Sequence, residues 1–123
     1  MDEAKVITIV DDDPSVRKAL DRLIKAAGYK AIVYDSAEAF LAASERDRSD
    51  CLILDVQLPG MSGLELQANL AKEGSRCPIV FISAFSDQYA RDEAIHAGAA
   101  CFLPKPLDTD QLIRCIEKMV FAQ

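Results

Sequence analysis

The stretch VITIVDDDPS, Val6 to Ser15, decides how the rest of the chain is read. A β-branched apolar run stops abruptly at three consecutive carboxylates. Such runs, without polar alternation, mark strands covered on both faces, as in parallel sheets. Asp13-Pro14 then reads as a helix start, with Asp13 as N-cap and Pro14 in the first turn. Adjacent like charges repel, and no carboxylate is deeply buried without a partner. Taken alone, Asp11 and Asp12 read as a solvated turn; the sharper reading is a site for a divalent cation.

The same unit recurs along the chain. Further apolar runs occur at AIVY (31–34), CLILD (51–55), IVFIS (79–83) and CFL (101–103). Helices fit between them. The first carries Val16, Leu20, Leu23, Ile24 and Ala27 on one face and stops at Gly28. Ser36 caps the second, and Ser62 the third, which stops near Gly74. A fourth, alanine-rich and short of large apolar anchors, is predicted over roughly 87–97 and ends at Gly98. The fifth starts from Asp108 and presents Leu112, Ile113, Ile116, Met119 and Val120. Five such units predict a doubly wound α/β sheet, because right-handed crossovers place helices on both faces.

In open parallel sheets, ligands bind beyond the carboxyl ends of the strands, where strand order reverses. That rule gathers Asp11, Asp12, Asp55, Ser83 and Lys105 at one edge. Hard oxygen donors suit Mg²⁺, with Asp12 and Asp55 as ligands, the backbone carbonyl of Gln57 as a third, and Asp11 acting through water. Asp55, alone at the end of an apolar strand, is the carboxylate placed to attack phosphorus and form an aspartyl phosphate. Mg²⁺ and Lys105 neutralise the repulsion between the two anions, and Ser83 donates a hydrogen bond to a phosphoryl oxygen.

Composition excludes several other classes. The chain has 123 residues, half of them apolar, and a net charge of −6. One domain of that size forms a real core. The acidic balance argues against direct nucleic-acid binding. No run is long enough to span a membrane and no signal-peptide pattern opens the chain, so a cytoplasmic location is expected. Cys51, Cys77, Cys101 and Cys115 form no CxxC and have no adjacent histidine. They are read as small buried thiols rather than metal or redox groups. The single histidine, His96, reads as a helix-surface residue, so a phosphoryl donor has to come from outside.

The motifs IVDDDPSVRKAL, LILDVQLPGMSGLEL, VFISA and FLPKP together resemble the receiver (response regulatory) domain of two-component response regulators, over essentially the whole chain, 1–123. DSAEAFL and LPGMSGLEL are similar to receivers of the FixJ/NarL type, often fused to a helix-turn-helix DNA-binding domain. The resemblance implies a flavodoxin-like (CheY-like) five-stranded parallel sheet of order 2-1-3-4-5 with five helices. It implies Asp11 and Asp12 as the acidic pair, Asp55 as phosphoacceptor, Ser83 as switch hydroxyl and Lys105 as phosphate-sensing lysine. Phe102 falls at the switch aromatic position, and Lys105–Pro106 at a peptide usually cis in the family. A histidine kinase is the implied donor and Mg²⁺ the cofactor. The only catalysis implied is the domain's own phosphorylation and dephosphorylation.

Three features depart from the commonest pattern. Ser83 stands where threonine is also frequent, Phe102 lacks a phenolic hydroxyl, and Pro104 removes a backbone donor from the last strand. Competing expectations are a stand-alone receiver acting by protein–protein contact, a phosphate-independent interaction module, and a haloacid-dehalogenase-type phosphatase using Asp11-x-Asp13. Ser15 and the lack of a late acidic pair or capping insertion weigh against the phosphatase. The intact Asp12, Asp55 and Lys105 set weighs against the degenerate module. Either a single-domain protein or the N-terminal domain of a transcription regulator is expected. Phosphorylation is expected to move residues 84–87 and Phe102 and to reshape the face around Tyr89 and Arg114, with formation of a homodimer.

Overall fold

The computed structural model describes residues 4–84 and 88–121. Its elements run β1 (Val6–Val10), α1 (Pro14–Ala26), β2 (Lys30–Tyr34), α2 (Ala37–Ala42), β3 (Cys51–Asp55), α3 (Gly63–Lys72), β4 (Ile79–Ser83), α4 (Gln88–His96), β5 (Cys101–Pro104) and α5 (Thr109–Phe121). The strands form one parallel sheet of order β2-β1-β3-β4-β5. The chain moves outward from β1 to β2, then crosses back past β1 to β3, so strand order reverses between β1 and β3.

Successive residues of a strand point to opposite faces, and the core divides accordingly. Ile7, Ile9, Cys51, Ile53, Val80 and Ile82 pack with Leu20 and Ile24 of α1 and Leu112, Ile116 and Val120 of α5. Leu52, Leu54, Ile79 and Phe81 pack with Phe40 of α2, Leu66 and Leu70 of α3, and Ala90 and Ala94 of α4. Two helices therefore cover one face and three the other. β3 and β4 are buried at every position, which is what their unbroken apolar runs predict. The edge strands correct that reading, since β2 leaves Val33 40% exposed and β5 buries only Leu103.

Helix starts follow the predicted caps. The Asp13 carboxylate accepts from Ser15 N–H, Ser36 Oγ from Ala39 N–H, and Ser62 forms a reciprocal capping box with Glu65. Asp108 Oδ1 accepts from Gln111 N–H at the start of α5. α4 is described over Gln88–His96; its predicted first residue, 87, lies outside the described residues. It buries only two alanines, so its hold on the sheet is thin. Gln67 of α3 compensates by donating its buried side-chain amide to the Ala94 carbonyl at 3.0 Å. A short 3₁₀ turn, Arg46–Arg48, precedes β3 and has no counterpart in the sequence reading, because three polar residues carry no periodicity.

Candidate functional site

β1 and β3 end side by side where strand order reverses, and each delivers a carboxylate. Asp55 closes β3 at 4% exposure, and Asp11 follows β1 fully buried. Lys105, just beyond β5, crosses to both of them. Its Nζ lies 3.0 Å from Asp11 Oδ2 and 3.0 Å from Asp55 Oδ2. The remaining carboxylate oxygens are also bonded: Asp11 Oδ1 accepts from Asp13 N–H at 2.9 Å and Asp55 Oδ1 from Gln57 N–H at 3.0 Å. Two buried anions thus share one ammonium.

The electrostatics follow from that count. Burial pushes the Asp55 carboxyl above its ordinary value; the Gln57 N–H and Lys105 pull against burial, while the Asp11 charge adds to it. Burial alone lowers Lys105, but its bonds to Asp11 and Asp55 and their charges outweigh that, and the net direction is up. A lysine raised in the folded state contributes its full stabilisation below its ordinary range. That contribution is lost only as pH rises through the still higher folded value.

Asp12 is exposed, and one of its oxygens, one of Asp11 and one of Asp55 all lie within 4.8 Å of one another. Among the described residues no other group of three or more His, Cys, Asp or Glu side chains comes so close together. Crowded carboxylate oxygens with too few protein cations fit a hard divalent ion such as Mg²⁺. Gly63 contributes by absence: a Cβ there would collide with the Asp55 carbonyl, so only glycine lets α3 start against the end of β3. Asp13, needed by the phosphatase reading as a second site carboxylate, is instead the exposed cap of α1.

Ser83 is buried at the end of β4, one residue beyond Ile82, which pairs with Asp55. Its carbonyl accepts from Lys105 N–H at 2.7 Å, so hydroxyl and ammonium issue from one tied edge. Pro104 pairs with Ser83 in register. Because neighbouring N–H groups in a strand point to opposite sides, the donor that Pro104 lacks belongs to the open side of β5, and the ladder loses nothing there. The Lys105–Pro106 peptide is cis. Phe102 is half-buried, tilted against Phe81 with ring centres 6.1 Å apart, and its carbonyl accepts from Arg91 of α4 at 3.3 Å. Of the segment 84–87 expected to move, residues 85–87 lie outside the described residues.

Other placements were not legible beforehand. Arg17 Nη1 donates to the Asp11 carbonyl at 2.9 Å, a contact with backbone that leaves no residue-type signature at the receiving position. The cysteine reading is refined, since only Cys51 is fully buried; Cys77, Cys101 and Cys115 are half-buried against the core, and all four are free thiols. Burial, followed by the facing Cys115 thiol, pushes Cys101 up to about 12, which disfavours the reactive thiolate. His96 lies exposed in the last turn of α4, away from the strand ends.

Two buried carboxylates and an exposed third thus lie at the switch point of a doubly wound parallel sheet, with a lysine reaching in from just beyond the last strand. Residues 7–117 match the family model of the response regulator receiver domain, and the chain belongs to that family. It is 42% identical over 115 residues to the response regulator protein TodT of Pseudomonas putida, covering 94% of this chain and 51% of the relative. The crystal structure of FixJ-N superposes with a TM-score of 0.89 at 34% identity, covering 100% of this chain and 98% of that one. Response regulator StyR gives the same TM-score of 0.89 at 40% identity, covering 98% and 61%. The chain spans about half the length of the curated relatives it matches. No helix among the described residues is long and apolar enough to cross a membrane.

Proposed function

We propose that residues 1–123 form a receiver that takes a phosphoryl group on Asp55 from a partner kinase's phosphohistidine. The observation that carries this reading is Lys105 Nζ at 3.0 Å from both Asp11 and Asp55, three groups drawn from three strand ends to one point. In the transfer, the phosphorus–nitrogen bond breaks, an Asp55 oxygen–phosphorus bond forms, and the histidine nitrogen keeps the electron pair. Later attack by water on phosphorus returns the carboxylate and releases inorganic phosphate. These two steps are all the catalysis the domain performs. It works in the cytoplasm, binds no nucleic acid itself, and passes its state to a transcriptional output.

Asp12, Asp55 and the Gln57 carbonyl would hold Mg²⁺, with Asp11 acting through water. The ion supplies positive charge that offsets repulsion between the carboxylate and the incoming phosphoryl group. Lys105 adds a second positive charge and follows the phosphoryl oxygens once they arrive. Ser83 donates its hydroxyl to one of those oxygens. Asp12→Ala removes a metal-binding oxygen, so Mg²⁺ affinity and phosphorylation rate should fall together, by about tenfold or more. Calorimetric Mg²⁺ titration checks this; an unchanged titration removes Asp12 from the ligand set.

Phosphorylation adds about −1.5 to −2 charge and new acceptor oxygens. Lys105 then has a stronger partner than Asp11, and the Ser83–Lys105 edge shifts toward the acceptor. Phe102, sharing β5 with that edge and offering no hydroxyl, reports the shift by ring packing alone. Its carbonyl holds Arg91, so α4 moves with it, and α4 is the helix with the thinnest core contact. The face of α4, β5 and α5, including the 71% exposed Tyr89 and the exposed Arg114, thereby becomes a homodimer contact. Beryllofluoride, a phosphoryl mimic, should raise the sedimentation coefficient and change amide exchange across 88–116. No change in either overturns this mechanism while leaving acceptance at Asp55 standing.

A further inference from the structure

The loop between β3 and α3 carries the Gln57 carbonyl, and a residue distant in sequence ties it down. Glu38, in the first turn of α2, accepts from Met61 N–H through Oε2 at 2.9 Å across 23 positions. Next to Met61, Gly60 has φ +73, and a Cβ built on it would collide with that same Glu38 carboxylate. Position 60 is bare because of its backbone conformation, and a Cβ there would displace the Glu38 carboxylate from its place beside the loop. Met61 is also held by its side chain, since Asn69 Nδ2 lies 3.4 Å from Sδ. At the other end of the loop, Gln57 N–H bonds Asp55 and Leu58 is 7% exposed. Pro59 and Gly60, between these anchors, are exposed. Glu38 supplies their tie to a neighbouring helix.

We propose that Glu38 is a positioning residue for the cation, fixing through Met61 the path of residues 57–61 and hence the direction of the Gln57 carbonyl. This rests on the reading in which that carbonyl is a metal ligand. The bond is charge-assisted: the Met61 N–H, followed by the residue's own N–H, holds the Glu38 carboxyl below its ordinary value. A ligand supplied by a loop is only as well placed as the loop, and partners that orient a metal ligand commonly change affinity by about 10–100-fold. Glu38 acts two steps from the ion, so the low end applies.

Three variants separate positioning from charge and from stability. Glu38→Ala removes the acceptor, Glu38→Asp keeps the charge but falls a methylene short, and Glu38→Gln keeps an acceptor oxygen without the charge. Each is titrated calorimetrically with MgCl₂ in the unphosphorylated state, alongside amide exchange at Met61 and thermal unfolding in chelator. The expected result is faster Met61 exchange and about tenfold weaker Mg²⁺ binding for Ala and Asp, with Gln within about threefold of the parent chain. Mg²⁺ affinity unchanged in Glu38→Ala, or equally weak in Gln and Ala, overturns the proposal and leaves Asp55 chemistry intact. No Mg²⁺ binding by the parent chain overturns the metal reading and this inference with it, a different result from a variant that matches a binding parent.

Discussion

Asp55→Asn should reduce phosphoryl acceptance from acetyl phosphate or a phosphorylated kinase to background while the chain stays folded. The amide matches the carboxylate's shape at a position only 4% exposed, so packing against β4 is kept. Its nitrogen and carbonyl cannot form an acyl phosphate, so the substitution isolates the chemistry from the fold. Neither neighbouring carboxylate replaces it. Asp11 is fully buried with both oxygens bonded, and Asp12, exposed at the turn, is a proposed ligand of the cation. Hydroxylamine-sensitive label at the parent level in the variant would falsify the assignment. On the proposed ligand set, the same variant also takes one charged ligand from the metal site. A ligand that binds only the folded state at a hundred times its Kd stabilises by about 2.7 kcal/mol. Mg²⁺ should accordingly raise the melting temperature of the parent chain and raise that of Asp55→Asn by clearly less.

What could be read from the sequence follows from where each signal resides. β1, β3 and β4 carry runs without polar alternation because helices cover them on both sides, and their limits match the expected ones residue for residue. β2 and β5 carry the same residue types, but as edges they are covered less, and each extends one residue beyond its predicted run. Caps at Asp13, Ser36 and Ser62 were legible because capping is a local bond between a side chain and a backbone N–H a few residues on.

The grouping of the site residues was legible through topology and through the motif resemblance, not from any one residue. Asp11, Asp55, Ser83 and Lys105 are unremarkable singly, and become a group only once five strand ends are placed on one edge of a sheet. What stayed hidden were bonds between distant positions. Lys105 and Asp11 are 94 residues apart, and the sequence motif points the lysine at phosphate rather than at a carboxylate. Arg17 and Glu38 both bond to backbone, which any residue offers. The departures from the common pattern also depend on three-dimensional placement: Pro104 is harmless because its missing donor faces the open edge of β5.

Lys105→Met should be the most destabilising change at the site when metal is absent. It leaves two buried carboxylates facing each other without a cation, and removing one partner of a buried ion pair costs about 3–5 kcal/mol. Lys105 retains 19% side-chain exposure, so the lower end, about 3 kcal/mol, is expected at pH 7. The pH dependence identifies the cause. Asp55 is already raised by burial, with Lys105 among the groups pulling it down, so removing the lysine sends it higher. An acid raised on folding contributes stability that is present below its unfolded value and lost as pH rises through the folded one. The parent lysine stays charged across this range. The variant's deficit should therefore be smallest at acid pH, grow as pH passes through the elevated Asp55 value, and level off above it. Saturating Mg²⁺ should shrink the deficit at neutral pH by restoring positive charge between the carboxylates. Urea unfolding of both chains from pH 4.5 to 8, with and without Mg²⁺, measures all of this. A deficit independent of both pH and Mg²⁺ would mean that Lys105 stabilises by packing, and the shared-cation account of Asp11 and Asp55 would fall.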